Sequence, residues 1–249
     1  MLDSKYHYPR ESAEGSRCVV ILLFFLSVLF YTLAHIVPDR SGNALKKDMI
    51  EASQIMAEAT SVLKECQRTM GLQADLNSDI NDTGLIGLEH SAITTSVGHL
   101  EAKRTSTNPN SAGLVAYLLN ACGVKRGDVI AVGASSSFPA LIVATLAAAS
   151  ALEVHPLVIS SLGASQWGAN SPEFHWLKMW NCLHEHTAFS IQPIALSLGG
   201  GRDRGEDMDE SGRMLLRKSI QKTGIRFLSE PDLAENVRLR MSLYRENAG

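Results

Sequence analysis

Between residues 108 and 245 the sequence alternates short apolar runs with longer helix-forming segments, and this alternation is the strongest constraint on the fold. Runs of strand length lie at 128–132, 154–160, 194–198 and 225–228, with one further short strand predicted over 92–97. Helix-forming segments lie at 112–121, 140–152, 172–183, 208–222 and 231–245. Parallel strands need a crossover between them, so the pattern predicts an α/β domain over 71–249, a three-layer α/β/α sandwich with a mostly parallel sheet.

A run of twenty residues without a charge, CVVILLFFLSVLFYTLAHIV, occupies 18–37. At about 1.5 Å per residue a helix of this length spans a hydrocarbon core of about 30 Å. The run predicts a single-pass transmembrane anchor over 18–38 that follows an N-terminal tail of residues 1–17. A cleaved signal peptide ending near Thr32-Leu33-Ala34 is the alternative.

Nearby charge does not decide the orientation of this anchor in the cell membrane, because three basic residues precede the span and three follow it. A short tail followed by a large C-terminal domain favours an extracytoplasmic domain.

An amphipathic helix is predicted over 44–70, with apolar residues three or four apart and Gly71 as its terminator. We interpret it as a stalk helix. Packing against the domain and a coiled-coil dimer are the alternatives.

The net charge of −3 argues against a general nucleic-acid binder, so any site for an anion is local. Outside the anchor the three cysteines show no CxxC spacing, and we expect no disulfide framework. Cys182, His184 and His186 could be a metal cluster, but they close a helix, where histidines are common polar residues. We therefore predict no metal and no cofactor.

Ligands of open parallel sheets bind beyond the carboxyl ends of the strands, where helix N-termini expose free N–H groups. Four polar segments are expected at this edge and supply the candidate ligand-binding residues. These are Lys103, Arg104, Thr105 and Asn108; Ser135, Ser136 and Ser137; Trp167 and Asn170; and Gly199, Gly200 and Arg202.

Each segment has a purely structural alternative. Residues 133–137 would form a tight turn in which Ser137 caps the next helix, and 199–205 would be a solvated loop. Residues 103–108 form either a grip for a carboxylate or a solvated loop that ends in a helix cap at Asn108 or Asn110. Neither glycine-rich loop has a nucleotide-binding pattern.

A nucleophilic serine is the catalytic hypothesis, with Ser135 and Ser136 as candidates. The loop GASSS has the first glycine of the GxSxG elbow and lacks the second. A Ser/Lys arrangement that uses Lys103 is a further alternative. Partners for a Ser-His-acid arrangement would come from His90, His99, His155 or His175 together with Asp128 or Glu101.

Four stretches together resemble the poly-γ-glutamate system protein family, bacterial membrane proteins that accompany poly-γ-glutamate synthesis. They are SAITTSVGHLEAKRTSTNPNSAGLVAYLL, GVKRGDVIAVGASSSFPALIVATLAAASAL, SLGASQWGANSPEFHWLKM and IALSLGGGRDRG. The resemblance covers residues 84–205 and the N-terminal anchor. It implies a role in capsule-type polymer biosynthesis with the poly-γ-glutamate synthase and its membrane subunits as partners, and it brings no assigned catalytic residues.

Each unit of that polymer carries a free α-carboxylate, which the polar segments could hold. The sequence therefore favours a membrane-anchored accessory of poly-γ-glutamate biosynthesis and export that binds the anionic polymer or its synthase. The alternative is a serine-dependent hydrolase or transferase acting on γ-glutamyl amide bonds.

Overall fold

The computed structural model of this chain describes residues 13–36, 43–187, 189 and 192–249. The chain divides into two units, Met1–Gly42 and Asn43–Gly249. The described part of the first unit is helix α1 (Ala13–Ile36), whose side chains at 19–32 are exposed. Residues 1–12 of the predicted tail and residues 37 and 38 of the predicted anchor lie outside the described residues. Across the described ranges, no helix has both the length and the apolarity required to cross a membrane.

The second unit is built on four parallel strands in the order β1-β2-β3-β4. They are β1 (Val129–Ser135), β2 (His155–Ser161), β3 (Ala195–Ser197) and β4 (Arg226–Leu228). The remaining helices are α2 (Asn43–Thr69), α3 (Leu100–Ser106), α4 (Asn110–Ala121), α5 (Pro139–Ala151), α6 (Trp176–His186), α7 (Glu210–Gln221) and α8 (Leu233–Asn247). The predicted α/β fold with a parallel sheet is confirmed.

Consecutive residues of a strand point to opposite faces of the sheet, and here they enter two separate cores. Val158 belongs to the large core formed with α2, α4, α5, α6 and α7, whereas Ile159 belongs to a small core formed with Leu243 of α8. In the described part of this unit, α8 is the helix that contributes to the small core.

Strand β1 is half exposed. Alternate residues from Val129 to Ser135 face solvent. The reason is its edge position, because α8 packs its small core against β2, β3 and β4.

Helix α2 packs in the large core, so the structure corrects the stalk interpretation and places the start of the domain at Asn43 rather than Gly71. Its apolar stripe consists of Ala52, Met56, Ala59 and Leu63, each at most 1% exposed. A side chain at Gly113 of α4 would place its Cβ 2.9 Å from the Met49 carbonyl oxygen, so the two helices approach each other closely at this glycine.

A disulfide joins Cys66 of α2 to Cys182 of α6, 116 residues apart in sequence. The sequence implied no disulfide framework and did not reveal this bond, because the pairing depends on the packing of two distant helices rather than on the spacing of the cysteines. Cys122 is an exposed free thiol.

The short strand predicted over 92–97 is absent, and Thr94 makes only an isolated bridge to Ala164. The segment turns instead, because the Thr94 hydroxyl accepts a hydrogen bond from the Ser91 N–H at 2.8 Å.

Candidate functional site

Helix α3 and the loops that follow β1 and β2 meet at the carboxyl edge of the sheet around Lys103. Lys103 lies on α3 and is 2% exposed. Its Nζ donates to Ser165 Oγ at 2.7 Å and to the Ser137 carbonyl oxygen, and it lies 3.9 Å from the centre of the Phe138 ring. In the described part of the chain no carboxylate forms an ion pair with Lys103.

Burial lowers the pKa of Lys103 from 10.5 to about 8. Desolvation disfavours the charged amine, and hydroxyl and carbonyl dipoles compensate a buried charge less well than a carboxylate does. A substantial fraction of the amine is therefore neutral at mildly alkaline pH, which is the state that accepts a proton.

Ser165 is the serine beside this amine. It is 7% exposed, and its backbone N–H donates to Ser137 Oγ at 3.0 Å, which fixes its main chain. A hydroxyl within hydrogen-bonding distance of a lysine with a lowered pKa is the arrangement of a nucleophile and its general base. The same hydrogen bonds also hold α3 against the loops that follow β1 and β2.

Neither of the predicted nucleophiles has this arrangement. Ser136 is fully buried and its hydroxyl donates to the Ser161 carbonyl oxygen, so it links the loop after β1 to the end of β2. Ser135 is exposed, and its Oγ accepts a hydrogen bond from the Ser137 N–H at 3.3 Å.

Among the described residues no histidine hydrogen-bonds to Ser135 or Ser136, and the histidine–serine hydrogen bond found there joins His175 Nε2 and Ser219 Oγ at 3.5 Å. The capping role considered for Ser137 is also wrong. Phe138 occupies the N-cap of α5, and the Ser137 hydroxyl serves Ser165 instead.

The predicted carboxylate grip is not assembled, because the segment is helical where a loop was expected. Arg104 donates to the Ser78 and Asn77 carbonyl oxygens at 2.8 and 2.6 Å and so anchors a surface turn. Thr105 donates to the Glu101 carbonyl oxygen within α3.

Asn108 accepts from the Asn110 N–H at 2.9 Å and forms the turn before α4. The helix cap considered for Asn108 or Asn110 is not formed, because Pro109 occupies the N-cap of α4 and no side chain caps this helix.

Asn170 and Trp167 position a neighbouring loop. Asn170 is fully buried, and its amide pairs with both the N–H and the carbonyl of Leu88 at 2.8 Å and with Thr94 Oγ1 at 2.9 Å. Trp167 has a φ of 56°, and its backbone N–H donates to the same Leu88 carbonyl. These contacts fix residues 87–95 at the edge of the sheet.

The glycine loop after β3 lies close to the end of β2. Gly199 and Gly200 have φ values of 74° and 66°, and a Cβ on Gly199 would lie 3.0 Å from Ser161 Cβ. The side chain of Arg202 is 72% exposed, with Nε 3.9 Å from a Glu206 carboxylate oxygen. Of the candidate cations, Arg202 is the one that faces solvent.

A polar cluster that sequence reasoning missed surrounds Asp203. Its carboxylate accepts hydrogen bonds from Ser197 Oγ at 2.7 Å, Arg240 Nη2 at 2.5 Å and Asn236 Nδ2 at 3.3 Å. Ser197 ends β3 in register with Ser161, which ends β2 opposite Ser135. The sequence contained one signal for this cluster, the serine that ends each of the three strands. No sequence pattern pointed to its partners on α8, Asn236 and Arg240.

An open cavity of about 270 Å³ lies between this cluster and β1. Its lining consists of Gly133, Ala134, Ser135, Ser161, Asp203, Leu233, Asn236, Val237 and Arg240. We call it the rim cavity.

The metal grouping considered in the sequence is not formed as expected. His184 Nδ1 lies 3.2 Å from the Phe189 carbonyl oxygen, while His186 lies with Cys66 and Cys182. The two sulfurs of that group are joined in the disulfide.

No protein-family model, no curated protein and no solved structure matches this chain.

Proposed function

We propose that this chain is a membrane-anchored protein of the poly-γ-glutamate biosynthesis and export system whose α/β domain cleaves or transfers γ-glutamyl amide bonds. The contact between Lys103 Nζ and Ser165 Oγ carries the catalytic part of the proposal. Both residues lie in stretches that resemble the poly-γ-glutamate system family, so the resemblance and the geometry point to the same segments.

The reaction follows from the protonation states of this pair. The neutral Lys103 amine takes the proton of Ser165 as Oγ attacks the carbonyl carbon of a γ-glutamyl amide. The resulting ammonium returns the proton to the leaving nitrogen as the C–N bond breaks, which leaves an ester on Ser165 and a free amine. Water then releases the acid, or an acceptor amine re-forms an amide.

The disulfide supports an extracytoplasmic location for the domain. Disulfides persist in oxidising compartments and are rare in the cytosol. Cys66–Cys182 joins two helices of the large core, which places it among the structural contacts of the domain. This location matches the orientation expected for a short tail, one span and a large C-terminal domain.

The test is the length of the polymer after incubation with the purified full-length chain at pH 8.5. We expect wild-type protein to shorten poly-γ-glutamate, measured by size exclusion with light scattering, and to create new amine ends. Ser165→Ala and Lys103→Met should each lower the rate by at least about 100-fold. Ser211→Ala, at an exposed serine of α7 that lies outside the rim cavity, is the matched control and should keep the rate.

Polymer that keeps its length with wild-type protein, both alone and with an added amine acceptor, contradicts the catalytic proposal. Equal rates in wild type and Ser165→Ala contradict it as well.

A non-catalytic accessory that binds the polymer or its synthase is the second candidate, and the rim cavity favours it. The exposed guanidinium of Arg202 belongs to the adjoining loop and can pair with a carboxylate. Arg202→Gln should then weaken polymer binding most at low salt, whereas Arg104→Gln should not, because Arg104 holds a surface turn. Co-purification with the synthase and its membrane subunits would test the partner.

A further inference from the structure

A second and larger cavity, of about 390 Å³, lies between α6 and α7. None of its lining residues belongs to the Lys103–Ser165 pair or to the rim cavity. Its volume is within the range of small-molecule sites. We call it the α6–α7 cleft.

The charged groups of the cleft are cationic. Lys178 on α6 and Lys222 directly after α7 both line it, and no acidic side chain does so in the described part of the chain. Lys178 Nζ donates to the Glu173 carbonyl oxygen at 2.7 Å, which uses one of the three protons of an ammonium group. Two cations supplied by the two sides of one cleft favour a ligand with two anionic ends.

His175 adds a buried polar group without a complete set of partners. It is 1% exposed and lines the cleft, its Nε2 lies 3.5 Å from Ser219 Oγ, and its Nδ1 has no hydrogen-bond partner. An unpaired buried nitrogen is costly, and a ligand oxygen or N–H would satisfy it. Burial, and then the charge of Lys178, lowers the pKa of His175 to about 4, so the ring is neutral at physiological pH.

Apolar side chains complete the cleft. Leu177 and Trp180 of α6 and Ile225 before β4 supply surface that suits a short aliphatic body. Amide and hydroxyl groups from Asn181, Gln192 and Thr223 add neutral hydrogen-bonding partners.

From this combination we propose that the α6–α7 cleft binds a small aliphatic dicarboxylate of the size of glutarate or free glutamate. One carboxylate pairs with Lys178, the other pairs with Lys222, and the methylene chain packs against Trp180. The site is separate from the Ser165–Lys103 pair, and the inference does not depend on the catalytic proposal.

Calorimetric titration of the full-length chain at low ionic strength tests the site. The probes are glutarate, L-glutamate, the neutral diamide glutaramide and inorganic phosphate. We expect saturable binding of glutarate and L-glutamate with a Kd of about 1 mM or lower, and none of glutaramide. Lys178→Met combined with Lys222→Met should weaken binding by at least about tenfold.

Two control variants test whether the binding occurs in the α6–α7 cleft. Lys218→Met removes an exposed lysine of α7 outside the cleft and should leave the affinity unchanged. Ser165→Ala should also bind normally, so failure of the catalytic proposal is distinguishable from failure of this one. Circular dichroism verifies that each variant is folded.

Three results overturn the inference. They are no saturation with glutarate and L-glutamate up to about 20 mM, an affinity unchanged in the Lys178/Lys222 double variant, and phosphate binding as tight as that of glutarate. The last result would identify a general anion site rather than a dicarboxylate site.

Discussion

At the scale of single residues, the structure gives Lys103 an environment that the sequence did not indicate. In the sequence Lys103 and Arg104 form one basic pair, whereas in the structure they have unrelated partners. Arg104 holds carbonyl oxygens of a surface turn, and Lys103 is enclosed among two serines and an aromatic ring. Because neighbouring residues of a helix face different directions, α3 divides the pair.

The lowered pKa of Lys103 predicts a pH profile for catalysis. The proton-accepting form is the neutral amine, so kcat/KM should rise about tenfold per pH unit below a pH of about 8 and level off above it. Initial rates of amide cleavage between pH 6 and pH 10 measure this profile. A flat profile, or one that levels off near pH 6, would contradict the assignment of Lys103 as the base.

The same lowered pKa also predicts how the free energy of unfolding depends on pH, and this measurement is the control for the rate profile. Between about pH 8 and the unfolded pKa near 10.5 the folded chain holds fewer protons at this site, so stability rises with pH in that window and is independent of this group below it. The rise should be absent in Lys103→Met and retained in Ser165→Ala, which loses only the rate.

At this scale the sequence could predict positions better than roles. That 133–137 and the loop with Ser165 meet was foreseeable, because parallel strands bring their following loops to one edge, whereas Lys103 lies on a helix that follows no strand. That Ser165 rather than Ser135 lies beside the amine depends on how Ser137 bonds across to Ser165, and no local pattern encodes that contact.

At the scale of elements, α2 shows what periodicity can and cannot predict. The three-to-four spacing correctly predicted a helix with one apolar face, but an apolar face has the same pattern whether it meets another helix, a second chain or the domain. The residues that decide the outcome lie elsewhere in the chain, for example Gly113, where the missing side chain lets α4 approach Met49.

The disulfide between α2 and α6 predicts a large effect on stability. A crosslink between residues 116 apart restricts the unfolded chain strongly, so Cys66→Ser combined with Cys182→Ser should lower the free energy of unfolding by about 2–5 kcal/mol. Urea denaturation of the oxidised protein measures this loss. The matched control is Cys122→Ser, which alters an exposed free thiol and should change the value by less than about 0.5 kcal/mol.

Reduction of the Cys66–Cys182 bond is an independent test of how much the bond stabilises the domain. Dithiothreitol should destabilise the wild type to the level of the double variant and leave that variant unchanged. If the oxidised wild type and the double variant unfold at the same urea concentration, the bond does not stabilise the domain.

At the scale of the whole molecule, the sheet is covered unequally. Within the described part of the second unit, the large core contains residues of α2, α4, α5, α6 and α7, the small core contains residues of α8, and β1 is half exposed. Counting crossovers in the sequence correctly predicted an α/β fold with a parallel sheet. It could not predict how much of each face is covered, because that depends on where α8 lies relative to the edge strand.

The extent of the folding unit yields the last prediction. Gly71 ends the helix and looked like the start of the domain, yet the four residues of the α2 stripe are at most 1% exposed within the large core. Removing α2 would uncover the facing surfaces of α4 and α5, and burial of one large apolar side chain contributes about 1.5–3 kcal/mol. A whole helix therefore contributes an amount comparable to the roughly 5–15 kcal/mol of a typical domain.

We therefore expect a fragment of residues 43–249 to fold and a fragment of residues 71–249 not to fold. The first should show a single cooperative unfolding transition and dispersed NMR amide signals, and the second should aggregate or bind the dye ANS without a cooperative transition. A fragment of 43–249 with Asn120→Ala, which alters an exposed residue of α4, is the matched control for a benign change. A cooperative transition in the 71–249 fragment would mean that α2 is an addition to a complete core, and the stalk interpretation would then regain its basis.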